Sequence, residues 1–454
     1  MENKVVLSRK NRRILLWIYG AALLYFVLKQ VYFAVVVEGF PDQIAQLSYV
    51  ANMARFPSLV PDFSAMPYYH GAVKVGAATV LKPYASQINY LLHPSPYYLL
   101  MALIGDVHPL EDGLVSLNVM LLRTWNIVLS ASALALAFYL GFTRLKKQPP
   151  LIHALYAFGI ATLPMLSYIG ASVNSDNLAF LALVVFFAGL LRYKEGREDL
   201  KTYLLIGVGF LVGSMSKLTT ALICALILFA VLVMSIIRTK SLKLILNRNF
   251  LITLPCYLLF LAYELIVRKR FGAWQPSLYN IDPEYFYRTI FYVKPENRIP
   301  MNLYQYIRHF VGGVGYTWSS LYSHNREVTA IMNNYHWGLI YWVPVGLMFF
   351  AALRQCVRRT FDRLTLPVAF SFAGTLAYHF YSNWKGYPVS GYLGGVQARY
   401  YLPMIIPIVY IMCDQIPPLF ERRKKLGAVL GVLLLLGWLA GDALRLLFLY
   451  GFPD

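Results

Sequence analysis

Eleven long apolar runs constrain this chain more than any other feature, at about 14–36, 114–142, 150–170, 176–192, 201–216, 218–237, 249–268, 337–353, 364–381, 398–416 and 425–449. A helical span of a bilayer needs roughly 20 apolar residues. None of the runs alternates apolar and polar positions as an outer-membrane strand does. Backbone groups in lipid must be satisfied internally, which leaves helices as the solution. The expected fold is therefore an all-α polytopic membrane protein, one transmembrane domain over 1–454 with about 11 transmembrane helices. The stretch 201–237 reads either as one broken helix or as a tight pair. The run at 14–36 is longer than a secretory apolar region and is followed by no small-residue cleavage site, so it reads as a retained helix. Composition agrees, with 58% apolar and only 14% charged residues.

Charge sets the expected orientation. With the N-terminus in the cytoplasm, the inner segments are 1–13, 143–149, 192–201, 238–248, 354–363 and 421–425. They hold 24 of the 41 Lys and Arg in 56 residues, whereas the outer segments hold 14 in about 181. This is the positive-inside bias, with Arg268, Lys269 and Arg270 as the one local exception. The net charge of +20 is then accounted for at the inner leaflet and calls for no nucleic acid. Cys224, Cys256, Cys356 and Cys413 show no CxxC spacing, which disfavours a disulfide framework or a thiolate metal site. No internal repeat or low-complexity tract is present.

Two outer loops are long, 37–113 and 269–336, and loops of that length are often functional. In the first, Pro41-Asp42 is a helix-start signal. Ile44, Leu47, Val50 and Ala51 follow at helical spacing, which reads as an amphipathic helix on the outer surface of the bilayer. Asp42 then sits at the mouth of the bundle, either as a functional carboxylate or as a cap. The run from Asn89 to Leu99 contains His93 and several Tyr, which also suits an aromatic interface belt. Further polar groups fall on the same side. Asn174 and Asp176 lie between the third and fourth runs, and Lys217 lies in Gly213-Ser214-Met215-Ser216-Lys217. Gln397, Arg399 and Tyr400 open the tenth run. Arg123 and Asn126 lie one turn apart inside the second. An ionisable group within a span is costly and is a functional candidate, although Arg123 can equally snorkel or pair. Cations gathered at one depth suit an anionic group such as a phosphate. A carboxylate beside them suits general-base activation of a hydroxyl. No close paired His spacing favours a metal, and neither a metal nor another cofactor is expected.

Five segments then resemble a known family. They are Pro41-Asp42, HPSPYYLL at 93–100, RTWN at 123–126, VNSDN at 173–177 with GSMSK at 213–217, and QARYYLP at 397–403. In this order the chain looks like the GT-C class of integral-membrane glycosyltransferases, especially bacterial relatives of protein mannosyltransferases and of the lipid A aminoarabinose transferase. Relatives commonly carry an Asp-Glu pair and a His three residues on, and here those places are Gln43 and Gln46. The loop 269–336 matches nothing in the family.

The resemblance implies a GT-C-like bundle in the cell's inner membrane, with the active face periplasmic or extracellular. It implies a sugar donor on a polyprenyl phosphate, inversion at the anomeric carbon, and a glycan, lipid or protein acceptor. Asp42 would be the base, with Asp176 the second choice. Lys217, Arg399 and Arg123 would hold the phosphate, among substrate-binding residues that include Asn174, His93, Tyr400 and Gln397. Three rivals stay open: a polysaccharide polymerase or ligase using a polyprenyl diphosphate, a lipid or saccharide transporter, and a non-catalytic assembly protein.

Overall fold

The computed structural model describes residues 9–75, 78–240, 247–319 and 336–449. A helix lies over each of the eleven apolar runs. The elements are α1 (Arg9–Val36), α2 (Gln43–Arg55), β1 (Pro67–Val75), β2 (Ala78–Ile88), α3 (Pro96–Ile104), β3 (Val107–Pro109), β4 (Val115–Leu117) and α4 (Val119–Arg144). Then follow α5 (Pro150–Ala161), α6 (Pro164–Gly170), α7 (Asp176–Lys194), α8 (Leu200–Ser216), α9 (Leu218–Thr239) and α10 (Arg248–Phe271). The short α11 (Leu278–Ile281) and α12 (Pro283–Phe286) precede α13 (Leu303–Ser319), α14 (Val343–Arg358), α15 (Thr365–Ser390), α16 (Ile405–Gln415) and α17 (Lys424–Leu449). Among the described residues, seven helices are long and apolar enough to cross a bilayer, or eight if the bent pair α5–α6 forms one span. The range 201–237 is a tight pair: α8 and α9 pack together and are joined by the single extended residue Lys217.

Local chemistry explains the breaks. Pro164 opens α6, and Leu163 before it is extended, as a residue preceding proline prefers to be. The chain bends by 54° there, and the Lys29 ammonium donates to the carbonyl freed at Ala161, 3.2 Å away. Close helix contact needs small residues in a membrane. A Cβ on Gly209 of α8 would stand 2.5 Å from the Phe186 amide nitrogen of α7, and one on Gly189 of α7 would stand 2.9 Å from that of Ile206. The bundle core joins α1, α4, α5, α7 and α16 through Phe26, Ala137, Tyr156, Phe186 and Ile408. By contrast α10 turns Leu258, Leu259 and Leu261 outward, and α17 turns Leu430, Leu433 and Leu436 outward, an apolar surface suited to lipid.

Loop 37–113 departs from expectation. It contains an antiparallel four-stranded sheet in the order β1-β2-β4-β3, with Tyr69 opposite Pro83 and Thr79 opposite Leu117. The helical membrane-type fold stands as expected, and the bundle carries this small sheet in addition. Helix α2 is not an exposed amphipathic helix: ten of its thirteen residues are buried. The polar positions that mimic a water-facing stripe are taken by β1: the Ser48 hydroxyl accepts from the Tyr69 amide at 2.9 Å, and the Asn52 side chain donates to the Pro67 carbonyl at 3.0 Å. Tyr97 and Tyr98 likewise lie in a second core with Leu47, Val50, Leu81 and Leu117, and form no interface belt.

The basic segments meet at one end of the bundle. Lys194 pairs with Asp414 at 2.6 Å, Arg363 with Glu198 at 3.1 Å, and Arg144 with Glu195. At the other end, Arg270 of the exceptional cluster donates to the Val60 carbonyl at 2.9 Å, and Arg268 lies over the Trp274 ring. Arg270 therefore pins α10 to loop 37–113. Residues 320–335 of the second long loop and the terminal Asp454, expected outside, lie beyond the described residues.

Topology can be checked by thiol labelling in right-side-out vesicles. Ser64 and Cys356 are both exposed, near opposite ends of the bundle. A cysteine at Ser64 is expected to react with an impermeant maleimide in sealed vesicles, and Cys356 only after permeabilisation. The reverse pattern would invert the orientation.

Candidate functional site

Asp42 ends the bend between α1 and α2. Its backbone is left-handed, with φ 58°, a conformation that Asp tolerates better than most residues. The backbone carbonyl starts α2 by accepting from the Gln46 amide at 2.9 Å. The carboxylate makes no cap bond, which removes the capping reading. Instead Oδ1 accepts from the Tyr90 hydroxyl at 2.7 Å, and Oδ2 accepts from the Arg399 guanidinium. Burial pushes the Asp42 carboxyl up, but the Arg399 charge, hydrogen bonds from Arg399 and Tyr90, and the Lys217 charge outweigh it and hold the carboxyl below its ordinary range. Burial and the neighbouring Asp42 push the Tyr90 hydroxyl up, so it stays a donor. Asp42 retains 24% side-chain exposure and so keeps access to an incoming group.

Lys217 and Arg399 both lie beside one ring. Lys217 Nζ lies 5.0 Å from the centre of Tyr400, and Arg399 Cζ lies 5.6 Å from it. Lys217 is paired with Asp176, the first residue of α7. Asp176 Oδ2 and two guanidinium nitrogens of Arg399, Nε and Nη1, have no hydrogen-bond partner among the described residues. Lys217, Tyr400 and His93 also border a cavity of about 570 Å³, within the usual range for a small-molecule site. Its lower wall is apolar, with Leu218, Ala221, Leu222 and Ala225 of α9 at helical spacing, and α15 adds Thr375, His379 and Asn383. His93 is held neutral, its pKa lowered to about 4 by burial first and then by the Lys217 charge.

Other expected residues do different work. The Arg123 donors are turned to backbone carbonyls and an amide. Its guanidinium donates to the Ala34 carbonyl at 2.6 Å, to the Glu38 carbonyl at 3.1 Å, and twice to Gln43 Oε1 at 3.0 and 3.2 Å. It clamps the end of α1 to the start of α2. Asn174 Oδ1 accepts from the Asp176 amide at 3.0 Å and shapes the turn before α7. Asn126 holds that turn, its Oδ1 accepting from Tyr97 at 2.8 Å and from Asn177 at 2.9 Å. Neither Asp42 nor Gln397 is among the residues bordering the cavity. Arg399, the partner of Asp42, does not border it either, whereas Tyr400, beside which Arg399 lies, does. Gln43 and Gln46 follow Asp42 one and four positions on. Both are neutral amides, and the Gln43 oxygen is held by Arg123, so this donor set does not suit a divalent cation beside Asp42.

Sequence reasoning missed Tyr90, His379 and Glu264. It also missed a buried cluster in which Lys29 pairs with Asp442 at 2.5 Å and Tyr25 donates to the same oxygen at 2.6 Å. The rule that singled out Arg123, an ionisable residue within an apolar run, applies equally to Lys29, Glu264, Asp442 and Arg445.

No family model matches the chain, and no curated protein matches it. Two solved structures are similar in fold, both from Archaeoglobus fulgidus. One is an oligosaccharyltransferase in the apo form, with a TM-score of 0.47 at 13% identity over 97% of this chain and 57% of that one. The other is the archaeal oligosaccharyltransferase AglB in complex with an inhibitory peptide and a dolichol-phosphate, with a TM-score of 0.44 at 13% identity over 96% of this chain and 56% of that one. The chain thus spans a little over half the length of these proteins, and the activity in their names is theirs.

The pairing pattern has consequences for stability. Removing one partner of a buried pair costs about 3–5 kcal/mol, while replacing both by apolar groups is often neutral. Asp176→Asn is therefore expected to lower the melting temperature in detergent markedly, and Asp176→Leu with Lys217→Met to recover most of the loss. For Asp42 the folded pKa is depressed, so its contribution is complete above the ordinary carboxylate range and fades only as pH falls through the lowered value. Melting curves from about pH 6 to 8 should show no Asp42-dependent change.

Proposed function

We propose that this chain is a membrane glycosyltransferase that moves a sugar from a polyprenyl-phosphate donor to a hydroxyl-bearing acceptor at its outer face, with inversion. The observation that carries the reading is the Asp42–Arg399 pair. Nη2 of the guanidinium holds the candidate base, while Nε and Nη1 have no hydrogen-bond partner among the described residues and keep donors for a second anionic group such as a phosphate. Lys217 adds positive charge beside the same Tyr400 ring. The apolar α9 wall suits the first isoprene units of a carrier.

In this mechanism Asp42 accepts the proton of the acceptor hydroxyl. The acceptor oxygen forms a bond to the anomeric carbon as the bond from that carbon to the phosphate oxygen breaks. The electron pair leaves with the phosphate, and Arg399 and Lys217 stabilise its growing charge. A single in-line displacement inverts the configuration. Asp42 stays ionised at neutral pH because its pKa is low, so the base needs no prior deprotonation. The acceptor is a glycan, a lipid or a protein.

Transfer of radiolabelled sugar from a lipid-phosphate donor tests the reading. Asp42→Asn keeps the shape and removes no cap bond, but it leaves the Arg399 charge without its partner, so some loss of melting temperature is expected and transfer is compared at a temperature where both proteins stay folded. Transfer should fall by about 10²–10⁴-fold, the usual cost of losing a positioned base. Full activity in this variant would pass the role to Asp176. Arg399→Lys keeps the charge but loses the planar fork, so it should raise the donor KM. An unchanged KM would reject Arg399 as the phosphate ligand.

A further inference from the structure

Glu264 of α10 lines the same cavity. It is only 8% exposed, and its Oε1 has no hydrogen-bond partner. No Lys, Arg or His forms an ion pair with it among the described residues. This differs from the other acids of the site, since Asp42 pairs with Arg399 and Asp176 with Lys217. Taking a carboxyl out of water without a partner is costly, so its acceptor capacity is available to whatever fills the cavity. Two cavity neighbours define what that is. Trp274 borders the same space, held on its ring by Arg268 at 4.6 Å, and Gln275 follows it. A carboxyl, a carboxamide and an indole ring together suit a pyranose, whose hydroxyls donate to the polar groups while its C–H face packs on the ring.

We propose that Glu264, with Trp274 and Gln275, forms a saccharide subsite that selects the sugar by accepting hydrogen bonds from its hydroxyls. This rests on the lipid-phosphate reading above and adds where the sugar lies: on the α10 side of the cavity, with the phosphate on the Lys217 side. Glu264 is a specificity-determining residue and takes no proton in the transfer step.

Binding by the full chain in nanodiscs tests the subsite. The probes are farnesyl phosphate, farnesyl-phosphate esters of a hexose, an aminohexose and a pentose, and the free methyl glycosides. Wild type should bind at least one ester more tightly than farnesyl phosphate. Glu264→Ala should weaken that ester by about 10- to 100-fold, the range for hydrogen bonds to a charged group, and leave farnesyl phosphate unchanged. Glu264→Gln keeps an acceptor oxygen and should fall between them, which separates a lost contact from a lost fold. A loss confined to the methyl glycoside would identify the bound sugar as the acceptor's. Equal weakening of farnesyl phosphate and its esters, or no change in either, would overturn the subsite while leaving the lipid-phosphate reading intact. If wild type binds no farnesyl probe, both fall together.

Discussion

The ion pair between Asp42 and Arg399 joins positions 357 residues apart. It joins the layer built from loop 37–113 to the 3₁₀ turn Ala398–Met404. Without that contact no carboxylate of the first loop stands next to Arg399. The pair forms because both partners are fixed from behind. Asp42 is held by the bend between α1 and α2, which Arg123 ties through two backbone carbonyls and Gln43. Arg399 follows Ala398, whose amide donates to Thr317 Oγ1 of α13 at 2.7 Å.

The wider pattern is that buried charges are spent at helix breaks. Lys29 and Asp442, both 2% exposed, meet where α5 stops, and Lys29 also fills the Ala161 carbonyl. Lys217 occupies the junction of α8 and α9 and meets Asp176 at the start of α7. A break leaves backbone groups without helical partners, and in a membrane these must be satisfied by protein. A charged side chain there serves the backbone as well as its ionic partner. Glu264 does neither, which sets it apart from these residues.

Arg123 shows how such economics assign roles. Judged by sequence position, it is equivalent to Lys217 and Arg399, as a cation near the outer end of a run. Its donors are spent on carbonyls and an amide, whereas Arg399 keeps Nε and Nη1 unpartnered. The difference lies in neighbours 80 to 90 residues away in the chain, and no local pattern carries it. His93 is a second case: its ring borders the cavity, but burial beside Lys217 keeps it neutral, so it supplies hydrogen bonding and no charge.

The helices were legible in the sequence because a span must satisfy its own backbone and present an apolar surface, and both demands are written locally. Their approximate ends, the clustering of basic loops and the shared end of Asp42, Lys217 and Arg399 follow from the same local rules. The sheet in loop 37–113 was not legible. Its strands are short, and the polar stripe of α2 that reads as water-facing is satisfied by β1. Nor could the sequence decide which cation meets which acid, since Asp42 with Arg399 and Asp176 with Lys217 are separated by 357 and 41 residues. Such pairings depend on how helices stack, and only the tertiary structure fixes that, because a buried charge is defined by what surrounds it and not by its place in the chain.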